Sequence, residues 1–250
     1  MNTLNKLTPG ENISVIARVL NKPGSQTVRD KKLIKLKVGD SANIANLVAW
    51  APMHKKILKL NLDKGDLVEI KLGSCPKSHK TTNRPPTITV NPNTILKKIS
   101  LKNFPSVEEC MGIKFLDELE DYRYASARVF ISSIYNTVVY FCEKCKKFSE
   151  KMCDCGNFPD AIFSISGIFS DGTRTIPFTT LTEDVAEKMT NSKKPGAEKI
   201  NVKILMEHPF TLFGYLRNEH FYVEDVIEDD FYGAMKGVGS FTKEDEYDIE

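Results

Sequence analysis

Four of the six cysteines fall within fourteen residues: Cys142, Cys145, Cys153 and Cys155. A Cys-x2-Cys turn sets two thiolates at ligand spacing, and a second close pair completes the tetrahedron that Zn2+ prefers. Gly156 adds a turn, and Lys144, Lys146 and Lys147 surround the sulfurs with positive charge. Such a cluster has two other readings, a disulfide pair and a redox Cys-x2-Cys. Met1 to Pro9 is polar and lacks the apolar stretch of a secretory signal, which disfavours disulfides. A redox Cys-x2-Cys needs a βαβ setting that the surrounding pattern lacks. The expectation is therefore one structural Zn2+ held by all four. Catalytic zinc would keep an open position beside His or carboxylate ligands, and His54, His79, His208 and His220 all stand away from the cluster in sequence. No phosphate-binding glycine loop, nucleophile elbow or His-Glu-x2-His is present. The chain is expected not to be an enzyme. Cys75 and Cys110 are isolated and read as buried, inert thiols.

A second set of residues points to a polyanion. The formal net charge of +2 divides unevenly: residues 1–100 carry 18 Lys and Arg against 6 Asp and Glu, and residues 101–250 carry 17 against 27. Single-strand binders combine cations that follow the phosphates with flat side chains on which bases stack. The one tryptophan, Trp50, lies in the basic part, with Arg29, Lys31, Lys32, Lys35 and Lys37 before it and Lys77, His79, Lys80 and Arg84 after it. A core tryptophan and solvated lysines are the competing reading.

These side chains need elements to position them. Asn12 to Leu20, Lys32 to Val38 and Ile44 to Trp50 read as strands, Met53 to Leu60 as a short helix, and Leu67 to Leu72 and Thr87 to Val90 as two further strands. Three strands, a helix and two strands is the order of the five-stranded oligonucleotide/oligosaccharide-binding (OB) barrel, whose strands 2 and 3 and loops L12 and L45 form the binding face. If Leu47 and Ala49 point inward, Val48 and Trp50 point out. The grammar restarts after a connector at 101–121 with a short helix at Phe115 to Leu119. Ala125 to Ile134, Val138 to Phe141, Ala161 to Phe169, Thr175 to Phe178, a helix at Leu181 to Met189, Ile200 to Met206, Phe210 to Arg217 and Phe221 to Ile227 follow. The fold class expected is mainly β, two OB barrels at 1–100 and 122–230, the second with the zinc knuckle inserted in its first hairpin. Residues 231–250 read as a flexible acidic tail. In the second barrel Phe169, Arg174 and Phe178, and Tyr215, Arg217 and Tyr222, are weaker binding candidates, several of them core.

Leu7-Thr8-Pro9-Gly10, Ile13 to Val19, Val38-Gly39-Asp40-Ser41, Leu47 to Trp50 and Lys64 to Val68 resemble the first OB domain of archaeal single-stranded DNA-binding proteins. Cys142, Cys145, Cys153, Cys155 and Gly156, leading into Asp171-Gly172-Thr173 and the helix from Glu183, resemble the zinc-containing OB domain of archaeal replication protein A. The similarity spans 7–228. It implies sequence-tolerant coating of single-stranded DNA in replication, recombination and repair, with Trp50 at the place of a stacking tryptophan. It also implies other replication protein A subunits as partners. Two departures stand out: Cys155-Gly156 where the family often has a histidine, and Ser74-Cys75-Pro76 where aromatics near L45 are expected. The tail, ending Tyr247-Asp248-Ile249-Glu250, resembles the acidic tips by which bacterial single-strand binders recruit repair and replication enzymes. Two other functions fit the residues, RNA binding and an interaction subunit whose second barrel docks partners. No run is long and apolar enough to span a membrane, and a cytoplasmic, nucleoid-associated protein is expected.

Overall fold

Period-two alternation builds the first sheet. The computed structural model describes residues 3–28, 30–77, 85–145, 147–148, 152–190 and 209–227. In it β1 (Asn12–Val19), β3 (Lys31–Gly39), β4 (Ile44–Trp50), β5 (Leu67–Ser74) and β6 (Thr87–Thr89) hydrogen-bond in the order β1-β3-β4-β6-β5, and β5 pairs back to β1. The result is a closed five-strand barrel, with β4 and β6 parallel. Ile34, Leu36 and Val38 of β3 and Ala45, Leu47 and Ala49 of β4 face its buried interior. Two strands absent from the sequence reading attach outside this ring. β2 (Gly24–Val28) pairs with β3, and β7 (Ile95–Ile99) pairs with β5. β2 is exposed along its whole length, so it has no apolar alternation to betray it.

The helix α1 (His54–Leu58) is shorter than the Met53–Leu60 expected, and Ile57 anchors it in the core. Lys56 from this helix donates to the carbonyls of Pro92 at 2.8 Å and Thr94 at 2.7 Å, which fastens the turn leading into β7. Arg18 of β1 donates to the carbonyls of Phe104, Pro105 and Gly65, tying the connector to the barrel. The connector itself holds α2 (Val107–Cys110), opened by a capping box in which Ser106 Oγ accepts from Glu109 N–H and Glu109 accepts from Ser106 N–H. Where a helix was expected at Phe115 to Leu119, a single 3-10 turn spans Leu116–Glu118.

The second sheet contains β8 (Ile113–Lys114), β9 (Tyr124–Cys142), β10 (Lys147–Phe148), β11 (Asp160–Ser170), β12 (Thr175–Thr180), β13 (Pro209–Arg217) and β14 (His220–Ile227), with α3 (Glu183–Thr190) after β12. Its order is β10-β9-β11-β12-β14-β13, with β13 pairing back to β9 and β12 parallel to β14. The two strands expected at Ala125 to Ile134 and Val138 to Phe141 are one strand of 19 residues whose ladder to β11 shifts register between them. Gly167 lies at one shift; a Cβ there would sit 2.1 Å from the Ser133 carbonyl oxygen, so no larger residue fits. The strand expected at Ile200 to Met206 and the tail at 231–250 lie outside the described residues.

A third apolar cluster joins the two sheets. Leu20, Ile44, Val107 and Cys110 from the barrel and connector pack with Tyr124 and Phe213 of the second sheet. Among the described residues no helix is long and apolar enough to cross a membrane.

Candidate nucleic-acid interface and metal centre

The outward face of β3 and β4 follows from their register. Residues directly opposite share a face, so Leu33 sits with Trp50, Lys35 with Val48 and Lys37 with Asn46, opposite to the buried row. Trp50 is 38% exposed at the open end of this face. Its orientation follows the alternation and excludes the core reading. Lys31 and Lys32 are exposed beside it at the β2–β3 turn, and Lys77 is exposed just beyond β5. Arg29, His79, Lys80 and Arg84 lie outside the described residues. Lys35, midway along the face, is partly buried. Burial holds its ammonium below the usual lysine value, with Glu224 opposing that effect and Lys37 adding to it.

Lys37 corrects the sequence reading. Expected as a free cation on the binding face, it is ion-paired to Glu224 of β14, and both side chains are largely buried, 13% and 14% exposed. The ammonium lies over the rings of Tyr124 and Phe213, 5.1 and 5.4 Å from their centroids. Tyr124 hydroxyl donates to Glu224 at 3.1 Å and accepts from Asn46 Nδ2 at 3.0 Å. Burial, then the Glu224 charge, pushes the Tyr124 phenol well above its ordinary value, so it stays a donor. The second sheet thus covers one end of the first barrel's outward face and leaves the Trp50 end open.

The four cysteines converge at the tip of the β9–β11 ribbon. Their sulfurs all lie within 4.8 Å of one another, with Cys142 and Cys155 at 3.5 Å. Zn–S bonds of about 2.3 Å in a tetrahedron require S···S of roughly 3.8 Å, so the donor set fits the ion. None of the six cysteines is in a disulfide. Gly156, at φ +78°, makes the turn after Cys155, and its N–H donates to the Cys153 carbonyl at 2.7 Å. The Asn157 N–H, then the neighbouring thiols, lower the Cys155 thiol to about 7. Cys75 and Cys110 are buried as expected, and desolvation pushes both thiols up to about 11.

Of the second-barrel candidates, Phe169 and Phe178 are fully buried and stacked on each other, with ring centroids 5.0 Å apart. Arg174 pairs with Glu219. Tyr215, Tyr222 and Arg217 stand on the outer face of β13 and β14. The sequence reading missed the aromatics along the ribbon that carries the metal cluster, among them Tyr135, Phe148 and Phe158, at 61%, 71% and 81% exposure. Their density between residues 135 and 158 was the available signal.

No family model matches the chain, and no curated protein matches it. Solved structures similar to it include a replication protein A heterotrimer bound to ssDNA, at 11% identity and TM-score 0.43, covering 97% of this chain and 56% of that one. A replication factor A related protein from Methanobacterium thermoautotrophicum is 21% identical, with TM-score 0.31, over 40% of this chain and 90% of that one. A murine DNA-binding protein bound with dsDNA is 8% identical, with TM-score 0.44, over 84% and 92%. Likenesses this remote leave the site to be read from its own geometry.

Proposed function

We propose that this chain binds single-stranded DNA along the outward face of β3 and β4, coating it largely without sequence preference in replication, recombination and repair, with no catalysis of its own. The observation that carries this reading is Trp50, a 38% exposed ring on an outward strand face whose neighbours Lys31 and Lys32 are also exposed. A base stacked on such a ring contributes about 1–3 kcal/mol, and the lysines supply the phosphate term. The β1-β3-β4-β6-β5 and β9-β11-β12-β14-β13 orders, with a helix between the third and fourth strand of each, support reading both sheets as OB barrels. The knuckle takes one structural Zn2+ on Cys142, Cys145, Cys153 and Cys155, closing the ribbon without an open coordination position. Further subunits of a replication protein A-like assembly are the expected partners.

The test is a fluorescence titration. Oligo-dT should quench the single tryptophan saturably, with an affinity that falls as salt rises, and Trp50→Ala, followed by the anisotropy of a labelled oligo-dT, should bind about five- to 150-fold more weakly. Absence of quenching together with unaltered binding by Trp50→Ala rejects the face. RNA oligomers in the same titration test the nucleic acid preferred. The interaction-subunit reading, in which the second barrel docks partners, gains from exposed Phe148 and Phe158 on the ribbon and predicts that residues 1–100 alone bind oligonucleotide nearly as well as the intact chain.

A further inference from the structure

A groove of about 540 Å3 runs along the seam where the connector meets the second sheet. Leu20 after β1, Val107 and Met111 from the connector, and Val226 and Ile227 at the end of β14 line it. Ile113 of β8 stands on its lip, 57% exposed. Leu20 and Val107 belong to the apolar cluster that joins the two sheets, and Met111 and Ile227 pack against that cluster while only partly buried. The groove is therefore the open side of the seam cluster. Its volume lies within the range of about 300–1,000 Å3 for sites that enclose a small organic ligand, so it has room for ring side chains.

The rim narrows the choice of occupant. Lys64 and Lys188 stand there with Glu108 and Asp225, and Lys188 pairs with Asp225 at 2.6 Å. Two cations against two acids favour neither a polyanion nor a polycation, so the apolar floor decides. The chain itself delivers apolar side chains to this place. β14 ends at Ile227, a wall of the groove, and the sequence continues Glu228-Asp229-Asp230-Phe231-Tyr232-Gly233-Ala234-Met235. An extended chain spans at most about 3.3–3.6 Å per residue, so Phe231 can reach no farther than about 14 Å from Ile227. A tether this short holds its end at a roughly millimolar effective concentration. That favours this segment over the same segment of a second copy at micromolar protein.

We propose that Phe231 and Tyr232 dock in this groove, packing on Met111, Ile113 and Ile227, so that the segment after β14 straps the connector to the second sheet and fixes the angle between the two sheets. The strap is independent of what the β3–β4 face binds.

In the full chain Phe231 is exchanged for the photoreactive p-benzoylphenylalanine, and the protein is irradiated at low micromolar concentration without nucleic acid. The product should keep the mass of one chain, with its crosslink at Leu20 or within residues 107–113. Hydrogen exchange supplies a second reading in otherwise unlabelled protein. Phe231→Ala/Tyr232→Ala should quicken exchange of the Met111 N–H, which donates to the Val107 carbonyl at 2.9 Å, by about two- to 150-fold, the span for side chains in direct contact. In an Ile113→Ala background, made on the exposed lip, the same pair of substitutions should have a smaller effect. A groove crosslink found only at the mass of two chains assigns the site to a second copy and overturns the strap. Crosslinks outside the groove overturn it as well, as does Met111 exchange that Phe231→Ala/Tyr232→Ala leaves unchanged.

Discussion

Lys37 and Glu224, 187 residues apart in the chain, form a largely buried ion pair across the seam between the two sheets. Each charge is also served from the side: Glu224 accepts from the Tyr124 hydroxyl, and Lys37 lies over two aromatic rings. Breaking such a pair leaves an uncompensated buried charge, whereas replacing both members with apolar residues is often neutral. Glu224→Ala should therefore cost about 3–5 kcal/mol in urea unfolding. Lys37→Met/Glu224→Leu should recover most of that loss. A double-variant loss equal to the sum of the separate Lys37→Met and Glu224→Leu losses would show that the pair contributes no coupling.

Metal removal addresses the ribbon. Structural thiolate zinc couples to folding, so the purified chain should carry one zinc by elemental analysis, and chelation should lower the thermal midpoint. Cys153→Ser, replacing a buried member of the cluster, should abolish retention of the metal. A fully folded chain with no bound metal defeats the assignment.

Backbone crowding makes Gly214 a sharp probe. A Cβ there would lie 2.1 Å from the Tyr222 carbonyl oxygen, beside the register shift between Phe213 and Gly214. Gly214→Ala has to move backbone, so destabilisation of at least about 2 kcal/mol is expected in denaturant melts, well above that of an ordinary exposed substitution.

The connector helix offers a milder case. Ser106→Ala removes an N-cap whose partner Glu109 completes the box and should cost about 1 kcal/mol. Because α2 supplies Val107 and Cys110 to the seam, hydrogen exchange at Cys110 and Met111 should quicken at the same time.

Acid should weaken the fold through His220. Desolvation lowers its folded-state value beneath the ordinary one, so the unfolded chain binds the proton more readily. Its contribution is complete above about pH 6.5 and is lost as pH falls through the folded value. His220→Asn should show a shallower decline between pH 7.5 and 5 in parallel urea melts.

Local pattern made β1, β3 and β4, the outward turn of Trp50 and the cysteine cluster legible in the sequence. Each depends on neighbours a few residues away: alternation for the strands, short spacers for the sulfurs. The Ser106-x2-Glu109 box was equally local and was overlooked. Glu224 had no such signal, because what makes it important is a lysine in another sheet. The same holds for Lys37, which reads as one more solvent-facing lysine of β3 until the seam is seen. β2 escaped for the opposite reason: Gly-Ser-Gln-Thr-Val buries nothing, and only its ladder to β3 makes it a strand.

β9 is continuous by hydrogen bonding and divided by orientation. From Ala127 to Ser132 its residues alternate strictly between buried and exposed. From Ser133 to Phe141 that rhythm is lost, while the ladder to β11 slips three times between Ile131 and Val138. Bulged strands bend where the extra residue sits. The ribbon is accordingly a jointed finger: a base fixed in the sheet wall, a tip set by four sulfurs, and a knuckle of backbone between them. Such a bend aims the tip away from the line of the barrel strands while every barrel strand keeps its partner.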